Sequence, residues 1–390
     1  MKPLQYIKNA EWPRNKRVLS GLWFIIGIVA ALAKLKHHNN FDVYRHTFYH
    51  ALHGTSLYAE STDGSYWDIN HYGPLFSLII APFAVLPPWL GLLLWDLCLA
   101  AFLYWAVSLL CRNMSRLQVF IVWFCAHELL TALLMQQFNV AIAAIIILSY
   151  YFISKEHDAH ATFFILVGTF VKIYGIVGIA FFFLSKHKLK FIVSFLGWGV
   201  FLFCLPMIIS SPNYVMEQYQ EWWIDLSSKN SENLMSLAQN ISLLGIIRKA
   251  GIPVNDLYII LLGVCLMALG YFRLTQWKNE AFWLQILSAI LMFVVLFSTG
   301  SESSSYIIAL IGCVTWYCCV PWKRTRTDIA LMVFAFIVTS LSPSDLFPAF
   351  IKKNIIQPYA LKALPVAIIW IKLMTELISK DYKGALAKLN

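Results

Sequence analysis

Residues Ala161–Leu184 read ATFFILVGTFVKIYGIVGIAFFFL and run directly into the basic segment Ser185-Lys-His-Lys-Leu-Lys190. The stretch is apolar except for Lys172. As one crossing of a bilayer, it would put the cluster Lys186–Lys190 and the acidic stretch Tyr214–Asp225 on the sides opposite to those that charge asymmetry favours. Two half-helices repair the conflict: Ala161–Val171 rises partway, the chain turns near Lys172-Ile-Tyr-Gly175, and Ile176–Leu184 descends to the starting side. At ~1.5 Å per residue, each piece covers about half of a ~30 Å hydrocarbon core. Irregular backbone at that depth is tolerated only where protein or a water-filled cavity satisfies its polar groups. The competing reading is a single span with a snorkelling lysine.

The rest of the chain sets this stretch in a membrane. With 59% hydrophobic residues and 13% charged residues over 390 positions, and a mean hydropathy of +0.67, the apolar surface exceeds what a water-soluble fold can hide. Ten further apolar runs fall near 18–35, 89–110, 117–135, 140–153, 191–209, 257–272, 282–297, 306–320, 329–341 and 361–373. We therefore expect an all-α, polytopic single domain over residues 1–390, with about ten spans plus the half-helix pair. The net charge of +10 sits in short connectors such as Lys8–Arg17, Lys186–Lys190 and Lys323–Arg326, which is the positive-inside pattern and puts the N-terminus in the cytoplasm. Val18–Leu35 with Ala31-Leu-Ala33 resembles a signal peptide, yet its length favours an uncleaved first span. The eight cysteines lie in or beside apolar runs and offer no disulfide or zinc spacing; the pair Cys318-Cys319 is read as lipid-facing or packed. No internal repeat is visible, which argues against transporters built from duplicated halves.

This topology leaves residues 36–88 and 210–254, and the shorter 298–305 and 342–359, outside. Pro74–Leu86 is too short to span and stops at Pro87-Pro88, so it is expected as an interfacial or re-entrant helix. The first outward loop gathers six of the ten histidines (His37, His38, His46, His50, His53, His71) with Asp42, Arg45, Asp63 and Asp68. If Phe41–His53 is helical, Asp42, His46, His50 and His53 share one face. Such a face suits a metal or a hydrated cavity; without HExxH or DxD motifs, no metal is assigned. Asp42 is either a helix-start residue or a functional carboxylate. In-span Asp96 and Glu128 point to a hydrated interior or to partners on a neighbouring helix. Tyr214, Tyr219, Trp222 and Trp223 form either an interface belt or a stacking surface for sugar.

Asp42-Val-Tyr44-Arg45, Ala51-Leu-His-Gly54-x-x-Leu57-Tyr58, Tyr72-Gly-Pro74-Leu-Phe76, Ala81-Pro82 through Leu86-Pro87 and Leu94-Trp95 occur in order, followed by Gln137-Phe-Asn139, Gly168-Thr-Phe-Val-Lys172 and Asn240-Ile-Ser242. Together they resemble glycosyltransferase family 87, of the GT-C superfamily of multi-span transferases that use polyprenyl-phosphate sugars. The likeness covers most of residues 17–250.

The resemblance implies that a hexose, with mannose the first expectation, moves from a polyprenyl-phosphate donor to an extracytoplasmic glycan or glycolipid acceptor. It further implies a bacterial inner membrane, no cofactor and inversion at the anomeric carbon. Asp42 would be the general base. Lys172, helped by the start of the second half-helix, would contact the donor phosphate. Arg248 is a second phosphate candidate or a solvated loop residue. Arg45, Tyr72, Gln137, Asn139 and Asn240 would bind substrate; for the last four the plain alternative is capping or interhelical hydrogen bonding. The chain departs from the family pattern at Ser298-Thr-Gly300-Ser-Glu302-Ser-Ser-Ser305-Tyr306, where relatives often carry Ser-x-Trp and His; Glu302 is expected to take over that position's function. A transporter or flippase of lipid-linked sugar is the alternative. It needs the same cavity and phosphate site but not the base.

Overall fold

In a computed structural model, residues 12–61, 64–384 and 386 are described. Lys8 of the first basic cluster and Asp63 of the first loop lie outside them. The described chain is helical throughout, with no strand. Helix α1 (Lys16–Lys34) starts at Asn15, whose side chain accepts the Arg17 amide. Helix α2 (Asn39–His53) stops at Gly54, which takes the left-handed φ of 69° that a side chain resists. The short helix α3 (Phe76–Ala84) is the expected non-spanning piece, and α4 (Pro88–Leu110) begins on Pro88, where the missing amide costs no hydrogen bond. Gly27 of α1 faces α4, where a Cβ would come into ordinary contact with Leu97, the Asp96 carbonyl and Ala100.

The apolar run at 117–135 is not one straight span. It forms α5 (Ser115–Phe124) and α6 (Ala126–Leu134), bent by 50° at Cys125. The bend leaves Glu128 fully buried against Lys362, whose Nζ lies 3.0 and 3.2 Å from the two carboxylate oxygens. Helix α7 (Asn139–Ser154) is apolar on nearly every side and sits in the middle of the bundle, as such a helix must.

Helix α8 (Asp158–Val171) and a tighter 3-10 arm (Ile173–Leu184) form a hairpin that turns at Lys172. The arms run antiparallel: a Cβ on Gly168 would meet Gly175, and one on Gly178 would meet Ile165. At the open end, Lys186 Nζ lies 2.7 Å from Glu156 Oε1. The sequence accounts for the winding. The buried residues of the second arm are Gly175, Gly178 and Phe181, three apart, and only a helix with three residues per turn keeps them in one stripe. At ~2.0 Å rise per residue the 3-10 arm is longer than a half-helix, about 24 Å.

The second half continues with α9 (Lys188–Cys204), the polar α10 (Pro212–Asn233), α11 (Leu243–Lys249), α12 (Asp256–Tyr271), α13 (Glu280–Leu296), α14 (Tyr306–Cys318), α15 (Arg326–Phe334) and α16 (Leu364–Ser379). Helix α15 is prolonged by a wider π-type segment, Ala335–Leu341. Helices α13 and α14 are almost wholly buried, and Cys318 and Cys319 are packed inside. By contrast α9 exposes Ile192, Val193, Leu196 and Val200, and α12 exposes Leu257, Leu261 and Leu262. Apolar faces of this extent require a non-aqueous surrounding. Three helices, Lys16–Lys34, Pro88–Leu110 and Lys188–Ile208, are individually long and apolar enough to cross a membrane, and the bent pair makes a fourth. Six shorter apolar helices, including both arms of the hairpin, accompany them.

Two measurements check the hairpin. A Cβ on Gly175 would lie 2.4 Å from backbone atoms of Gly168 and Thr169, whereas Gly197 on α9 faces open space. Gly175→Ala should therefore destabilise by about 1–3 kcal/mol, the usual range for overpacking, while Gly197→Ala, in open space within a helix, should raise the thermal midpoint slightly. Equal midpoints for the two variants would contradict the close approach. Single cysteines replacing Lys155 and His187 in a cysteine-free background should be labelled from the same side of the membrane; labelling from opposite sides would rule the hairpin out.

Candidate functional site

A cavity of about 1010 Å³ opens where the hairpin turn, the first loop, α10 and the segments 298–303 and 342–362 meet. Its deepest polar groups are positioned by neighbouring turns. The turn between α6 and α7 holds Gln136 at a left-handed φ of 58°, and the Trp95 indole donates to the Gln136 carbonyl at 2.9 Å. This fixes Gln137 and Asn139 at the start of α7. From there a chain of hydrogen bonds crosses the cavity floor. Lys172 Nζ donates to Asn139 Oδ1 (2.7 Å), and Asn139 Nδ2 donates to Gln137 Oε1 (2.8 Å) and Ser304 Oγ (2.9 Å). Gln137 Nε2 donates to Glu302 Oε2 at 2.6 Å. The ammonium also lies over the rings of Tyr174 (5.0 Å) and Tyr72 (5.7 Å), a cation-π contact on two sides. Tyr72 accepts the Phe138 amide at 3.0 Å, and its hydroxyl is 3.3 Å from that of Tyr44.

Lys172, Tyr72, Gln137 and Glu302 thus line one cavity, with Asn139 buried beneath them. The turn at 298–305 is held from two directions. Asn240 and Ile241 donate their amides to Thr299 (2.9 Å) and Ser301 (2.8 Å), and Lys362 donates to the Ser303 carbonyl (3.0 Å) and hydroxyl (3.1 Å).

Besides Asn139, four residues expected at the site lie off the cavity surface. Asp42 sits on the face of α2 away from Asn40; its Oδ2 is 2.7 Å from His38 Nδ1, and burial raises its carboxyl pKa against the pull of His38 and Arg45. Arg45 caps α3 instead, donating to the carbonyls of Ala84 and Leu86 that the helix end leaves unpaired. Asn240 is fully buried, donates to the Leu234 carbonyl and accepts from Ser242, so it braces the wall rather than forming it. Arg248 is tied to Asp256 at 2.9 Å. Trp222 lines the cavity with its indole donating to the His71 carbonyl, whereas Trp223 points outward. Among the described residues, no group of three or more His, Cys, Asp or Glu side chains could hold a metal ion.

Sequence reasoning missed Lys362, Tyr44, Tyr174 and Trp67 as lining residues. For Lys362 a signal was present: a lone lysine at a span edge and a lone glutamate within another span are each costly unless they meet. It also missed the pairing of His71, whose Nδ1 lies 3.0 Å from Asp225 and whose Nε2 lies 3.7 Å from Asp68.

That pairing has a pH signature. Burial alone would push the His71 pKa down, but hydrogen bonds to Asp225 and Asp68 outweigh it, and the opposing Lys229 too, and hold it at about 9. A pKa above the ordinary value of 6.5 means that the protonated ring stabilises the fold. This contribution is complete below pH 6.5 and is lost as pH rises through about 9. Thermal midpoints should fall across that window, and Asp225→Asn should flatten the fall; an unchanged slope in the variant would discount the pair.

The floor of the cavity thus joins one half-buried cation to one carboxylate through two amide side chains, beneath an opening with aromatic walls. A sequence model of glycosyltransferase family 87 matches residues 70–299, which includes Tyr72, Gln137, Asn139, Lys172, Asn240 and Arg248 but neither Asp42 nor Glu302. No curated protein matches the chain. The match extends over more than half of the sequence, and it agrees with the apolar helices in describing an integral membrane enzyme that transfers sugar; the chain belongs to glycosyltransferase family 87.

Proposed function

We propose that this enzyme transfers a hexose, mannose first among the candidates, from a polyprenyl-phosphate donor to a glycan or glycolipid acceptor on the outer side of a bacterial inner membrane. In this reading the chain crosses the bilayer about ten times, the N-terminus is cytoplasmic, and the cavity faces outward. The observation that carries the proposal is Lys172. Its ammonium, half-buried at the turn of the hairpin, is hydrogen-bonded to a neutral amide at 2.7 Å. A cation so placed suits a phosphate that arrives from the lipid side. Five lysines line the cavity (Lys34, Lys172, Lys229, Lys352, Lys362) against the three carboxylates of Asp68, Glu302 and Asp345; with Lys362 set against Glu128 behind the wall, a smaller positive excess remains that favours an anionic donor. Apolar lining by Leu130, Leu134 and Ile356 suits the isoprenoid tail.

The acceptor hydroxyl oxygen attacks the anomeric carbon as the bond to phosphate breaks. Polyprenyl phosphate departs with the electron pair and is stabilised by Lys172. The hydroxyl proton passes to a carboxylate, and a single displacement inverts the configuration. Asp42 is our assignment for that base, on the strength of its motif. Glu302 is the second reading, favoured by its place in the cavity beside Gln137.

Asp42→Asn should lower transfer by about 10²–10⁴-fold, the usual contribution of a general base, with donor binding retained. The assay is turnover of purified enzyme with a panel of polyprenyl-phosphate sugars. Near wild-type turnover in Asp42→Asn together with a loss in Glu302→Gln would move the role to Glu302. Lys172→Ala should weaken donor binding far more than Lys172→Arg, which keeps the charge and changes its geometry; equal donor affinity in wild type and Lys172→Ala would remove the phosphate assignment.

A further inference from the structure

Beside the large cavity lies a second chamber of about 450 Å³, between the first loop and α10. The two share Trp67, Asp68, Ile69, His71 and Lys229, so one opens onto the other at the His71–Asp68 boundary. The size is that of a small-ligand site. Its chemistry differs from its neighbour's.

Helix α10 turns Asp225, Lys229 and Glu232 to one face, at helical spacings of four and three. The loop supplies Glu60, Tyr66 and Trp67 opposite them. Four carboxylates (Glu60, Asp68, Asp225, Glu232) thus face one ammonium, Lys229, and one imidazole, His71. With both bases protonated, the balance is 2 − 4 = −2. The large cavity has the opposite excess, with five lysines against three carboxylates. A phosphate is drawn to the large cavity and repelled from the chamber. Carboxylates accept hydroxyl hydrogen bonds through several lone-pair sites each. Trp67, 81% exposed, offers an indole face to the C–H side of a pyranose ring.

We propose that this chamber is the acceptor subsite and that it takes a neutral, hydroxyl-rich glycan rather than a phosphorylated headgroup. The inference rests on the transfer reading above and adds the class of acceptor. A glycan seated here sends one hydroxyl across the shared boundary to the anomeric carbon held in the large cavity. Its C–O bond forms as the donor's C–O(phosphate) bond breaks, and its proton goes to the carboxylate base. The same loop covers the Asp42 face of α2: the Tyr66 ring lies 4.8 Å from that of His46, and Asn39 Oδ1 accepts the Trp67 amide at 2.9 Å. An acceptor in the chamber therefore lies on the side of α2 that carries Asp42.

The test is equilibrium binding to the full-length protein in lipid nanodiscs, read by saturation-transfer NMR without turnover. The probes are α-1,2-mannobiose, mannose 6-phosphate and decaprenyl phosphate. Mannobiose should bind at least about tenfold more tightly than mannose 6-phosphate, since like charges brought together cost several kcal/mol. The exposed double substitution Glu60→Gln/Glu232→Gln should weaken mannobiose and narrow the gap between the two sugars, with decaprenyl phosphate binding unchanged. Equal binding of both sugars by the wild type, or unchanged mannobiose binding by the double variant, would overturn the chamber as a neutral-glycan site. If decaprenyl phosphate still binds in that case, only the acceptor inference falls; loss of donor binding and turnover with every donor would fall on the transfer reading instead.

Discussion

An ammonium group placed at the bend of an apolar hairpin has to be solvated by the protein, and much of this architecture follows from how that is done. Lys172 reaches Asn139 across to α7 and lies between two tyrosine rings. For Asn139 to be there, α7 must begin at that residue, so the preceding turn takes the strained Gln136 conformation and is pinned by Trp95. For the two arms to close behind the lysine, Gly168 and Gly175 must face each other without side chains. The requirement spreads from one charge to three helices and two turns, at positions far apart in the chain.

A buried charge pair braces the same place from the other side. Lys362 satisfies Glu128 and also takes two bonds to Ser303, the residue after Glu302. Removing either partner would leave an uncompensated charge in a nearly dry interior, which costs far more than the pair itself contributes. The turn that carries Glu302 is therefore held between two cation-centred networks. This is the rigidity a site needs if its groups are to stay in place while substrate enters.

What could be read from the residues was whatever one charge or one proline determines locally. The hairpin was legible because Lys172 and the following basic cluster conflict with a single crossing. The short α3 was legible from Pro87-Pro88, and Tyr72, Gln137, Lys172 and Glu302 from motif order and from one departure from it. The rest depends on partners distant in sequence. Nothing near Cys125 announces a 50° bend, and the Glu128–Lys362 pair beside it joins residues 234 positions apart. The 3-10 winding goes with stacking Gly175 and Gly178 against α8 and Phe181 against Tyr150 of α7, a choice made by packing rather than propensity. Asp42 could be placed on a helix face with His46, but which way that face points is settled by α3 docking through Arg45 and Tyr49.

Gly73 fixes how closely these parts fit together. Its amide donates to the Val171 carbonyl at 3.0 Å, and a Cβ on it would lie 2.2 Å from the Phe170 carbonyl and 2.9 Å from Trp222. Loop, hairpin tip and α10 are fastened at one backbone point, where no side chain fits between them. Across the cavity lies the stretch from Ser342 to Ala360, joined to the bundle by the π-wound segment and by a left-handed Ala360 with φ of 53°. A side chain at position 73 would push all three elements apart at once and reshape the cavity wall that they share.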